Sequence, residues 1–321
     1  MKNDITAIAV AGMVKSYPGN VVLRGIDLTV PTGTVYALLG PNGAGKTTMV
    51  RILTTLIDAD AGSATVAGYD VNHRAGDVRR SIGVTGQFSA VDELLTGREN
   101  LRLMADLGHL PAAESSRRVD DLLTRFDLVE AAGRRASTYS GGMKRRLDLA
   151  MTLVNRPALI FLDEPTTGLG PRSRRELWQI VRELVGDGVT IFLTTQYLEE
   201  ADELADRVGV LDGGRLVAEG TPAELKRLLP GGRVELTFAS PDALAAAHVS
   251  FPEAKVNDEA LSLGVAYDGS LGSLRRVMAR LDEGVVTGFD VRTPDLDDVF
   301  LAVTGHTTRA TAVPAREEVA R

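Results

Sequence analysis

The run Gly40-Pro41-Asn42-Gly43-Ala44-Gly45-Lys46-Thr47 has the spacing G-x-x-x-x-G-K-[ST], directly after the apolar stretch Val35–Leu39 and before a stretch with helical spacing. Glycines there let successive backbone N–H groups turn inward around a phosphate, and the helix N-terminus behind them adds its partial positive charge. Lys46 is placed to neutralise β- and γ-phosphates, and the Thr47 hydroxyl to ligate Mg²⁺. Asn42, Gly43, Ala44, Gly45 and Thr48 complete the candidate phosphate contacts. Farther on, Leu159-Ile160-Phe161-Leu162-Asp163-Glu164 is an apolar strand ending in two carboxylates. Asp163 at the strand tip is a candidate Mg²⁺ ligand, and Glu164 a candidate base for the water that attacks the γ-phosphate.

These residues need elements to position them, and the hydrophobic pattern supplies a parallel α/β frame. Strands are expected over Ile8–Val14, Val21–Val30 and Val35–Leu39, and a helix from Lys46 to about Leu56. From about residue 88 to 155 the pattern turns helical. Leu101, Leu103 and Met104 mark one segment, and Val119, Leu122, Leu123 and Phe126 another. Strand and helix alternate again through Leu159–Leu162, Arg172–Val185, Thr190–Thr194, Leu198–Ala205 and Val208–Leu211, as a helix-covered parallel sheet requires.

The punctuation Leu229-Pro230-Gly231-Gly232 marks a boundary. It divides residues 1–228, a nucleotide-binding domain, from 229–305, a small α+β domain. In the latter, strand Val234–Phe238, helix Asp242–Val249, strand Ala254–Val256, strand Leu261–Val265, helix Leu271–Leu281 and strand Val285–Val291 give the ferredoxin-like order βαββαβ, closed by a helix over Leu296–Val303. Residues 306–321 lack apolar periodicity and read as a disordered tail.

Composition narrows the function classes. The 321 residues carry 36 basic and 43 acidic side chains, a formal charge of −7, so the basic surface that nucleic-acid binding requires is not expected. There is no cysteine, which excludes disulfides and cysteine-ligated metals. No run reaches the ~18 apolar residues of a membrane-spanning helix, so any membrane role must come through a partner.

Tyr139-Ser140-Gly141-Gly142-Met143-Lys144-Arg145-Arg146-Leu147 resembles the signature sequence of ABC-transporter ATPases. Ser140, Gly141 and Gly142 before a helix make a second backbone anion cradle, which in that family closes on ATP held by the other protomer of a homodimer. The resemblance extends residue by residue. Tyr17 matches the aromatic that stacks on adenine, and Gln87 the glutamine that touches Mg²⁺ and the attacking water and opens the segment facing the membrane subunit. Thr194-Thr195-Gln196-Tyr197 and Thr293-Pro294-Asp295-Leu296-Asp297-Asp298-Val299-Phe300 resemble the antibiotic-exporter branch typified by daunorubicin-resistance ATPases. Over Ala7 to Gly305 the resemblance implies ATP and Mg²⁺ as cofactors and a separate multi-span permease as partner. It further implies a peripheral place on the cytoplasmic face of the membrane, and export of a hydrophobic drug-like compound.

Two positions depart from the family pattern. Gln196 stands where a switch histidine is usual, so its contact to the γ-phosphate lacks charge assistance. None of His73, His109, His248 and His306 is placed to replace it. Gly170 stands where the family has an aspartate that bridges the two nucleotide sites. These departures raise the alternative of a nucleotide-gated switch with weak hydrolysis; a soluble ABC ATPase outside transport is a second alternative.

Overall fold

The computed structural model describes residues 6–86, 89–229, 231–281, 285–292 and 294–305. Its contacts divide the chain into two compact units that meet between Pro222 and Ala223.

The first unit opens with the antiparallel pair β1 (Thr6–Tyr17) and β2 (Asn20–Pro31), each longer than its apolar core suggests because the hairpin pairs out to Tyr17 and Asn20. Next comes β3 (Val35–Leu39), buried at every residue, which runs into the phosphate loop and α1 (Lys46–Leu53). That helix stops short of Leu56: Thr54 caps it, and Thr55 takes a left-handed φ of 63°. Two strands that the hydrophobic pattern leaves unmarked, β4 (Ala61–Val66) and β5 (Tyr69–Asp70), complete an antiparallel sheet of order β2-β1-β4-β5. Only Ala64 and Val66 of β4 are buried, a weak alternation.

After α2 (Ala75–Ser81) and β6 (Ile82–Thr85) come three helices, α3 (Gly97–Leu107), α4 (Ala112–Arg125) and α5 (Gly141–Thr152). A reciprocal capping box of Thr96 and Glu99 starts α3. Leu101 is fully buried, but Leu103 is 42% exposed despite its apolar type.

The chain returns to the sheet through β7 (Leu159–Asp163), α6 (Pro171–Gly186), β8 (Thr190–Thr195), α7 (Leu198–Leu204), β9 (Arg207–Asp212) and β10 (Arg215–Gly220); the short α8 (Pro222–Lys226) spans the division between the units. This second sheet has the order β10-β9-β3-β8-β7-β6, parallel except for β10. One apolar core joins the two sheets: Ile8, Met13, Leu23 and Ile26 from the first, Leu38, Phe161 and Phe192 from the second, with Met49, Ile52 and Leu53 of α1 between them. Burying each such side chain stabilises by about 1.5–3 kcal/mol. That core holds α1, and with it the phosphate loop, in place.

The second unit runs β11 (Gly232–Phe238), α9 (Pro241–Ser250), β12 (Lys255–Asn257), β13 (Ser262–Tyr267), α10 (Leu271–Met278), β14 (Val286–Arg292) and α11 (Leu296–Thr304). Its antiparallel sheet of order β12-β13-β11-β14 has the ferredoxin-like topology. Val234, Leu236, Phe238, Leu244, Leu263 and Val277 form its core. Asp295 and Asp298 cap α11 reciprocally, and Gly305 ends it at a left-handed φ of 68°.

Candidate active site

Parallel register brings three loops to one edge of the sheet. Leu39 lies opposite Thr195, and Asp163 opposite Thr194, so the phosphate loop, the Asp163-Glu164 pair and Gln196 all leave the carboxyl ends of neighbouring strands. Ligands bind at this edge in open α/β sheets.

Close packing demands glycine at two loop positions. Gly45 has φ +113°, and a Cβ there would lie 2.8 Å from Leu23 Cδ2 and 3.1 Å from the Val22 carbonyl oxygen. At Gly40 a Cβ would meet the Leu211 carbonyl oxygen at 2.3 Å. The loop that results surrounds a cavity of about 370 Å³ lined by Asn20, Val22, Asn42, Gly43, Gly45, Lys46, Thr47, Thr48 and Glu164. Ala44, a buried residue of the loop, packs its side chain into the apolar core. Tyr17 is 42% exposed, with the Lys15 ammonium 5.8 Å from its ring centre. It pairs with Asn20 across the hairpin, and Asn20 lines the cavity.

Lys46 is 5% exposed, and its Nζ donates to the carbonyl oxygens of Gly40 at 2.7 Å and Pro41 at 3.1 Å. Glu164 Oε1 lies 3.5 Å from that ammonium. Burial pushes the Lys46 ammonium below the ordinary lysine range, and Glu164 opposes the shift. Thr47 Oγ1 donates to Asp163 Oδ1 at 3.4 Å, and the buried Thr194 hydroxyl donates to the same oxygen. A hydroxyl and a carboxylate so close form a hard-oxygen donor pair suited to Mg²⁺, which typically takes one or two carboxylates with water and substrate phosphates. Among the described residues, no three carboxylates or imidazoles gather to hold a metal unaided.

Glu164 adopts a left-handed φ of 50°, unusual for a residue with a side chain. Its backbone N–H donates to the carbonyl oxygen and hydroxyl of Thr194, at 3.1 and 3.2 Å. Thr167 Oγ1 donates to Glu164 Oε2 at 3.3 Å. The carboxylate is thereby steadied in the cavity lining, beside Lys46.

Ser140, Gly141 and Gly142 stand apart from this cavity, none of them lining it. Ser140 caps α5 by accepting from Met143 N at 3.3 Å, so the two glycines form the first turn of the helix instead of preceding it. First-turn N–H groups have no backbone partner within the helix. Ser140 and Gly141 are exposed. Gln196 is half-buried just beyond β8, where the Thr195 carbonyl oxygen accepts from Gly40 N at 3.3 Å. Gly170 precedes α6 without a side-chain cap. Gln87 lies outside the described residues.

Several site features carry no sequence motif. Thr194 reaches Asp163 only through strand register. Glu200 is fully buried, accepts from Trp178 Nε1 at 3.2 Å, and is pushed above the usual carboxylate range by desolvation. Its place in a Leu-Glu-Glu-Ala run on α7, facing inward, was readable only from helical periodicity.

The ABC transporter family profile matches residues 23–167. The chain is 48% identical over 315 residues to the daunorubicin resistance ATP-binding protein DrrA2 of Streptomyces coeruleorubidus, covering 96% of this chain and 98% of that one. It is 39% identical to the Nod factor export ATP-binding protein I of Rhizobium sp. (strain N33), over 93% of this chain and 97% of that one. Among solved structures, an ATP-binding subunit of an ABC transporter superposes with TM-score 0.63 at 30% identity, over 70% of this chain and 93% of that one. A dimeric ATP-binding cassette in a post-hydrolysis state, bound to ADP and phosphate, superposes with TM-score 0.61 at 25% identity, over 67% of this chain and 98% of that one.

Proposed function

The chain belongs to the family of ABC transporter ATP-binding subunits, and we propose that it is the ATPase of a two-component exporter of hydrophobic drug-like compounds. Two copies work as a homodimer beneath separate multi-span membrane subunits, peripherally at the cytoplasmic face of the membrane. The separation of the two phosphate cradles carries the reading. Lys46 and the loop 40–47 enclose a cavity, while Ser140 and the α5 N-terminus lie exposed outside it, available to a nucleotide on another copy. Nearly full-length likeness to daunorubicin-resistance proteins supports the cargo class.

The residues divide the work. Backbone N–H groups of the loop and Lys46 hold the β- and γ-phosphates, and Lys46 must exchange a carbonyl and its Glu164 contact for phosphate oxygen. Thr47 and Asp163 hold Mg²⁺, which offsets phosphate charge when bound. Exchange of Lys46 frees Glu164 Oε1 to accept a proton from the attacking water, with Oε2 steadied by Thr167. Gln87 and Gln196 orient water and γ-phosphate, and Tyr17 stacks on the base. The α3–α5 helices carry the ATP-driven closure to the membrane partner, a population shift driven by ligand.

The test is purification of the tagged full-length chain from solubilised membranes of its native cell with ATP present. A co-purifying small subunit with several hydrophobic spans, and drug sensitivity on deleting the pair, are the expected results. Recovery of ribosomes or of soluble partners alone overturns the transporter assignment.

A further inference from the structure

Near the cavity, a single buried guanidinium joins three separate stretches of chain. Arg145 of α5, its side chain 12% exposed, donates through Nε to the Pro165 carbonyl oxygen at 2.8 Å and through Nη1 to the Gly86 carbonyl oxygen at 3.0 Å. Nη1 also meets Asp148 Oδ2 at 3.2 Å, and Asp148, 2% exposed, accepts from Ala90 N at 3.0 Å through its other oxygen. Pro165 is the residue after Glu164, and Gly86 and Ala90 bracket Gln87 in sequence. Behind this pair, Arg145 Nη2 and Glu200 Oε2 are both buried without a hydrogen-bond partner, and Glu200 acts on Arg145 electrostatically.

A buried ion pair gains little stability over apolar packing, because desolvation offsets the attraction. What this pair does supply is geometry. The planar guanidinium fork fixes two backbone carbonyls from different loops at one separation, a task the single flexible ammonium of lysine cannot perform. We propose that Arg145 is a positioning residue for ATP hydrolysis: with Asp148 as counter-ion, it sets the backbone at Gly86 and Ala90 against the loop that carries Glu164. The proposal rests on the reading of Glu164 as a hydrolytic residue. It predicts that the chemical step depends on Arg145 while nucleotide binding, which Arg145 does not touch, does not.

The experiment compares Arg145→Lys and Arg145→Met with wild type in the full-length chain, by ATP titration, by phosphate release, and by amide exchange of the peptide that includes Ala90. Expected are ATP affinities within about threefold of wild type, kcat lower by about tenfold for lysine and about 100-fold for methionine, and faster exchange in the peptide that includes Ala90. Should Arg145→Met fail to fold, Arg145→Lys decides. Wild-type kcat in a folded variant overturns the proposal, as does a parallel loss of kcat and ATP affinity. If wild type itself shows no turnover, the functional reading fails; amide exchange then decides for Arg145, local acceleration supporting the positioning role and unchanged exchange overturning it.

Discussion

Replacing Glu164 with glutamine removes a proton acceptor and a buried charge at once, and the two effects should move binding and chemistry in opposite directions. Glu164 Oε1 lies 3.5 Å from Lys46 Nζ, with side-chain exposures of 11% and 4%. At an effective dielectric near 20 the bare attraction at this distance is about 5 kcal/mol. Most of it is returned by desolvation and by the two carbonyls that also hold the ammonium, leaving roughly 1 kcal/mol that arriving phosphate must displace. Glu164→Gln should therefore bind ATP about three- to tenfold more tightly. Hydrolysis should fall by about 10² to 10⁴, the usual contribution of a positioned general base. The assays are fluorescent-ATP titration and single-turnover phosphate release on the same preparation. Turnover within about threefold of wild type would refute the role of Glu164, and ATP affinity weakened more than about tenfold would refute the ion-pair argument.

Three further expectations follow from the same site. Tyr17→Ala should weaken ATP binding about five- to tenfold while leaving binding of inorganic triphosphate unchanged, because stacking acts on the base alone; competition titration with both ligands checks this. Gln196→His adds a charge-assisted donor beside the phosphate loop, so hydrolysis should be kept or raised; a steady-state assay showing a loss greater than about tenfold would mean that the amide itself is required. Glu200 has a folded-state pKa raised by burial, so its contribution to stability is present in acid, below the ordinary carboxylate range, and is lost as pH rises through the folded pKa. Glu200→Gln should flatten the decline of melting temperature as pH rises above the ordinary carboxylate range, and an unchanged pH profile would contradict the shift.

What the sequence discloses follows the physics of each feature. The phosphate loop is legible because its chemistry constrains residue type and spacing together: glycine where a Cβ would strike Leu211 or Leu23, then lysine and threonine. The ferredoxin-like order of the second unit is legible because β11 and β13 alternate around buried Val234, Leu236, Leu263 and Val265. Arg145 escapes notice because two of its partners are backbone carbonyls, 59 and 20 residues away, and a carbonyl carries no residue identity. Left-handed Glu164 is equally silent, since its backbone is set by hydrogen bonds to Thr194 across a strand boundary. Leu103 misleads in the other direction: its spacing suits a core face, yet it stays 42% exposed.

The account stands most directly on one composite site per ATP, built from two copies of the chain. Light scattering of full-length Glu164→Gln measures this, first with Mg-ADP and then with Mg-ATP. The account predicts the 34.2 kDa mass with ADP and twice that mass with ATP. A particle that binds ATP and remains at 34.2 kDa would contradict it.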